Sequence, residues 1–303
     1  MAYVTKFPEL ISFEKEYSTF LQKSIGKTDA QKIVLWKEEI ESKHQNYYDD
    51  VIYRKNDDSD WKSKRLSSIQ KFLSKYDDIA ADTLKEFSVA KTKIQQKLPL
   101  FFDAFPDADF SGQKVYIVPA LFRFNGQGTK YNSKTILSFG VDFIVLLNKF
   151  PTLIPGLNSS YNPDVFYMHE IFHLYHADHF LKDLEQEKTL LIAAWEEGLA
   201  SYVSGEIAPE ATLSEVLMDN NLNDCLEKRD FYLRSFKEDM YKCDDESYKK
   251  WFLISSTDKV IPKRAGYCVG YLLAKELSQK YSLLELSKLS WSKITQEAKT
   301  LLK

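Results

Sequence analysis

Between Glu9 and Leu98 the chain contains one glycine, Gly26, and no proline. Those two residues interrupt helices most strongly, so a stretch this long without them predicts a helical N-terminal region over residues 1–98. Thr28-Asp29-Ala30-Gln31 has the form of a capping box, and Ile33, Trp36 and Ile40 follow at helical intervals. A second periodic run from Trp61 to Leu98 places Leu66, Ile69, Phe72, Leu73, Ile79, Leu84, Phe87 and Ile94 along an apolar stripe suited to a core.

Beyond Leu98 prolines and glycines become frequent and short apolar runs replace the helical period. The runs from Lys114 to Phe124 and from Thr135 to Leu147 are rich in β-branched and aromatic residues, and Asn125-Gly126-Gln127-Gly128 lies between them. This predicts two strands joined by a glycine-rich turn. The turn lacks the spacing of a phosphate-binding loop. After Pro163 helices return, with capping boxes at Thr212 to Glu215 and Ser282 to Glu285. The expected class is α+β and mostly helical, with a second region over 99–303.

Of the 303 residues, 41 are basic and 44 acidic, a net charge of −3 that argues against nucleic acid or an acidic membrane as the main partner. The most apolar window, Ile136 to Leu157, is broken by Asp142, Lys149, Pro151, Pro155 and Gly156, so no membrane span is expected. Glu9, Glu14 and Glu16 stand where a secretory signal would need an apolar core. Cys225, Cys243 and Cys268 show no paired spacing, which predicts a reducing compartment without disulfides. A cytoplasmic location is expected, with export that needs no cleavable signal left open.

Four of the five histidines fall between His169 and His179. Residues four apart share one helix face, so in His169-Glu170-Ile171-Phe172-His173 both imidazoles can reach one zinc ion. Glu170, rotated about 100° from His169, is then placed to act as general base on a zinc-activated water and afterwards as acid. A third protein ligand is required. His179 stands six residues past His173 as in metzincins, but His176 occupies the position where that family has a glycine. Ala194-Trp195-Glu196-Glu197-Gly198-Leu199-Ala200, in a second apolar helical stretch, offers Glu196 and Glu197. His176, nearly two turns past His169, could line the same pocket or simply pack.

HExxH followed by a helix containing EGLA resembles the gluzincin metallopeptidases, and in particular a bacterial group of predicted zinc-dependent proteases. The segment Arg264-Ala265-Gly266-Tyr267-Cys268-Val269-Gly270-Tyr271 is similar to one that follows the ligand helix in that group. The resemblance covers roughly Val115 to Leu289. It implies a zincin-like core with a small sheet packed on the HExxH helix, and one zinc held by His169, His173 and Glu197. It also implies that the strand from Thr135 to Leu147, where Ser138, Gly140 and Asp142 alternate with apolar neighbours, is the edge on which extended substrate pairs.

The implied activity is a zinc-dependent hydrolase, a metallopeptidase acting on peptides or proteins, with Glu170 as base. Tyr267 would assist the oxyanion, with Tyr271 and Arg264 as substitutes and Glu196 as a substrate or supporting group. Two rivals accompany it: a catalytically inactive zincin-like scaffold, and a zinc hydrolase of non-peptide amides or esters. A close helix crossing at Gly266 and Gly270, with both tyrosines packing, is the structural alternative for the last segment. Substrate identity and oligomeric state are not legible.

Overall fold

Three of the helices start where the capping boxes place them. Thr28, Thr212 and Ser282 each accept the backbone N–H of the third helical residue, and the side chain of that residue returns the bond to the cap. The computed structural model describes residues 6–55, 59–180 and 188–302, without the side chains of 178–180. It is α+β and mostly helical. The chain forms two compact units: the part up to Lys93 with Asp109–Lys149, and Ile94–Ala108 with the part from Phe150 onward.

The first unit begins with strand β1 (Glu9–Ser12), followed by helices α1 (Glu14–Ser24), α2 (Asp29–Glu39), α3 (Gln45–Tyr47) and α4 (Trp61–Leu73). Helix α5 (Tyr76–Ala104) contributes its first part here. Strands β2 (Lys114–Val118), β3 (Gly126–Tyr131) and β4 (Lys134–Gly140) and helix α6 (Val141–Lys149) complete the unit. The sheet order is β1-β2-β4-β3, with β1 and β4 parallel to β2 and β3 antiparallel to β4. Aromatic residues fill the helical core: Trp36 lies 5.2 Å from Phe20 and 5.0 Å from Phe72, ring centre to ring centre.

Five sequence expectations change here, the first being that the run from Lys114 to Phe124 is a strand only as far as Val118. Glu9–Ser12 is a strand, because it finds a parallel partner in Lys114 to Ile117. The Gly126 and Gly128 stretch is strand β3 rather than a turn. The strand expected to run to Leu147 stops at Gly140, and the apolar residues after it form α6. The reason is Asp142, buried in the first turn of α6, whose carboxylate accepts the N–H of Ala120 at 2.6 Å and of Phe122 at 2.9 Å. Finally, β4 is interior to the sheet and cannot be the edge for substrate pairing; β3 is the edge on that side. Ser138 is likewise buried and accepts the hydroxyl of Tyr47 at 2.7 Å.

The second unit contains the end of α5 and helices α7 (Pro163–Phe180), α8 (Leu190–Ile207), α9 (Leu213–Val216), α10 (Arg229–Lys237), α11 (Asp245–Phe252), α12 (Ala265–Leu277), α13 (Leu283–Ser287) and α14 (Trp291–Leu301). The sheet thus groups with the N-terminal helices, while the HExxH helix α7 belongs to the second unit. A division at residue 98 follows helix breakers, whereas the units follow strand pairing across 100 residues.

Cys225 and Cys268 form a disulfide with their Cα atoms 5.8 Å apart, and Cys243 stays outside it. This corrects the expectation of no disulfides: the two partners are 43 residues apart, a spacing that carries no sequence signature. Among the described residues no helix is long and apolar enough to cross a membrane.

Candidate metal centre

Helix α7 is apolar around most of its circumference, and Val165, Phe166, Tyr167, Met168, Ile171 and Phe172 are all buried. His169 is buried with them, 2% exposed, so its imidazole must find its partners inside the unit. His173, one turn later, supplies them in part: the two Nε2 atoms stand 3.0 Å apart.

Helix α8 brings the third group. Its N-cap Thr189 accepts the N–H of Ile192 at 3.4 Å, and the N–H groups of Leu190 and Leu191 donate to the carbonyls of Lys242 and Met240, each at 2.9 Å. Asp239 holds that turn. Its carboxylate takes Lys242 Nζ at 2.6 Å, Lys250 Nζ at 2.7 Å and Trp251 Nε1 at 2.8 Å.

Although burial alone would raise the Asp239 pKa, the two lysines and Trp251 together hold it down at about 2, below the usual 3.8. A carboxyl depressed on folding adds stability above its unfolded pKa and loses that contribution as pH falls through the folded one, here between about 4 and 2. Asp239→Asn is therefore expected to cost about 2 kcal/mol at pH 7, with the gap to the unaltered chain closing near pH 2. Urea midpoints at the two pH values check this.

Further along α8, Gly198 faces Gly270 of α12. A Cβ on Gly198 would lie 1.9 Å from the Gly270 carbonyl carbon, and one on Gly270 would lie 1.7 Å from the Ala194 oxygen. The helices meet backbone to backbone, and only glycine allows it. That crossing fixes Glu197, the residue before Gly198. Its Oε2 stands 3.5 Å from Nε2 of His169 and 3.5 Å from Nε2 of His173.

The three donor atoms form a triangle with edges of 3.0, 3.5 and 3.5 Å. Donors at about 2.0–2.1 Å from a tetrahedral zinc are separated by about 3.3–3.4 Å, so two imidazole nitrogens and one carboxylate oxygen here fit that ion. Among the described residues His169, His173 and Glu197 form the group that could hold a metal ion.

Electrostatics among these side chains follow from the same proximity. Burial pushes His169 down to about 4. Burial also opposes charge on His173, but the carboxylates of Glu197, Glu170 and Glu196 outweigh it and lift this imidazole to about 9. Glu197 is held well below the usual carboxylate range, since the two imidazoles overcome its burial. Burial, with help from Glu197, raises Glu170 to about 7.

The other sequence candidates separate. Tyr267, on α12, has its hydroxyl pKa raised by burial and then by the Glu197 carboxylate, and Arg264 stacks on its ring at 4.2 Å. Tyr271 packs instead beside Val165, Ala208 and Val216, with its ring 5.8 Å from Tyr202. Glu196 pairs with Lys188 rather than joining the cluster. His176 is buried with its ring stacked on Phe172 at 5.0 Å. The side chain of His179 lies outside the described residues. Gly270 marks a helix crossing as the structural alternative expects, whereas Gly266 meets the Phe252 ring of α11.

Sequence reasoning missed three residues around the cluster. Lys188 lies just before α8, and Tyr248 on α11 feels the charges of Glu197, Lys188 and Glu196. Asp219 lies beside Arg264, Oδ2 to Nη1 3.8 Å. None sits in a local motif, so only tertiary contact reveals them. Comparison of this chain with protein-family models, with curated proteins and with solved structures finds no match.

Proposed function

We propose that this chain is a zinc-dependent metallopeptidase of the gluzincin type, a hydrolase of peptide bonds in peptides or proteins that holds one zinc per chain. The observation that supports it is the convergence of His169, His173 and Glu197 from two helices onto one point, with Glu170 beside the first ligand. Zinc, when bound, supplies Lewis acidity that polarises a carbonyl and makes water acidic near neutral pH.

The chain's own residues supply the rest. Glu170 takes the proton of the attacking water and hands it to the departing amine. Tyr267 donates its hydroxyl proton in a hydrogen bond to the oxygen on which negative charge develops. Glu197 keeps the two imidazoles aligned through the contacts described above. Cytoplasmic residence belongs to this proposal as the sequence expectation, and the Cys225–Cys268 bridge weighs against it.

Metal analysis and an unbiased cleavage profile on a proteome-derived peptide library test the reading. One zinc per chain is expected, with occupancy lost in Glu197→Ala, together with peptide cleavage that a chelator stops. A zinc-loaded chain that cleaves no peptide bond would overturn it in favour of a scaffold or of a hydrolase of other amides or esters.

A further inference from the structure

The turn that opens α12 contains a second, charged arrangement. Arg264 has a left-handed backbone, φ 60°, as does Met218, φ 55°. Side chains seldom adopt that conformation, and at Arg264 it accompanies a guanidinium folded over the ring of Tyr267, three residues ahead. The guanidinium is engaged on its other side as well: Nη1 donates to the Met218 carbonyl at 3.2 Å and lies 3.8 Å from Asp219 Oδ2.

Asp219 is fully buried. Its Oδ1 accepts the N–H of Asn221 at 3.0 Å and of Asn158 at 3.3 Å, while Oδ2 has no hydrogen-bond donor among the described residues. Burial raises the pKa of this carboxyl, and among the described residues Arg264 is the cation within 4 Å of Oδ2 that opposes the rise. The same segment is tied to the loop before α7, since Asn220 N donates to Asn158 O at 2.7 Å and Lys263 Nζ to Pro155 O at 3.3 Å.

We infer that Asp219 is a positioning residue: it anchors the Arg264 guanidinium, and Arg264 in turn holds the Tyr267 ring on α12, the helix that crosses the Glu197 helix at Gly198. Arg264 then acts through the phenol: its face covers the ring and its Nη1 is engaged by Met218 and Asp219, so it sets where the phenol stands. The catalytic consequence rests on the metallopeptidase reading above; the placement of the ring does not.

The test separates the two. The full chain is labelled with 3-fluorotyrosine, and the Tyr267 fluorine resonance is identified by its loss in Tyr267→Phe. In the unaltered chain this line is expected to be displaced from that of free fluorotyrosine, because a cation stacks on the ring. Asp219→Asn, with its amide oxygen at the Oδ1 position, keeps that acceptor and puts an uncharged NH2 where Oδ2 faces Arg264, and Arg264→Gln removes the stacked cation.

In both variants the Tyr267 line is expected to move back by more than half of its displacement, with zinc content retained. A lowered Tm with the line unmoved would overturn the inference, since that is what a merely structural anchor produces. In turnover, Asp219→Asn lowers kcat about tenfold with KM unchanged, and adding it to Tyr267→Phe has no further effect. Additive losses would also overturn it. A chain that hydrolyses nothing defeats the metallopeptidase reading, while the fluorine result still decides the role of Asp219.

Discussion

Glu170→Gln is expected to keep one zinc per chain and to lower kcat by about a thousandfold, within the range that a positioned general base contributes. The substitution preserves shape and one hydrogen-bonding oxygen but removes the capacity to accept a proton. Glu170 is not among the three groups whose donor atoms converge, so metal content has no reason to fall. Metal analysis beside steady-state kinetics on one cleaved peptide checks both halves. Undiminished turnover would end the mechanism, and lost zinc would make Glu170 a ligand rather than a base.

Gly270→Ala carries the largest expected cost to the fold. The added methyl would lie 1.7 Å from the carbonyl oxygen of Ala194 and 2.8 Å from the Cα of Gly198, both parts of a helix backbone that cannot step aside alone. Overpacking of this kind costs about 3 kcal/mol or more. In a unit of this size that corresponds to about 10 °C in Tm. Gly198→Ala meets the same obstacle from the other side and is expected to match it.

Either substitution shifts α8 against α12 and displaces Glu197 from the imidazoles, so zinc affinity falls with stability. Gly128→Ala is the control: nothing lies within 4 Å of its added methyl, and its effect stays within about 0.5 kcal/mol. Calorimetry and zinc titration on the three variants measure this. Equal Tm values for all three would show that the crossing is looser than described.

What the sequence made legible follows the range of each interaction. The i, i+4 spacing of His169 and His173 and the three capping boxes are local, and the structure contains them as read. Glu197 needed the resemblance, because nothing in the order of residues says that α8 meets α7. The apolar run after Thr135 suits strand and helix equally, and the contact that divides it, Asp142 to Ala120 and Phe122, is more than twenty residues long in part. β1 was hidden by its own lack of glycine and proline, since only Lys114 to Ile117 makes it a strand. Cys225 with Cys268, and Asp219 with Arg264, are pairs of the same long-range kind.

The parallel pairing of Glu9–Ser12 with β2 also governs how the chain can be made. Emerging from the ribosome, β1 has no strand beside it until residue 114 and beyond have followed, and the first unit is complete only when α6 is out. Long-range pairing of this kind slows folding and leaves intermediates exposed in the meantime. A fragment cut at residue 98, where the helix breakers invite a cut, would carry β1 as a bare edge, open to pairing with another copy and to aggregation.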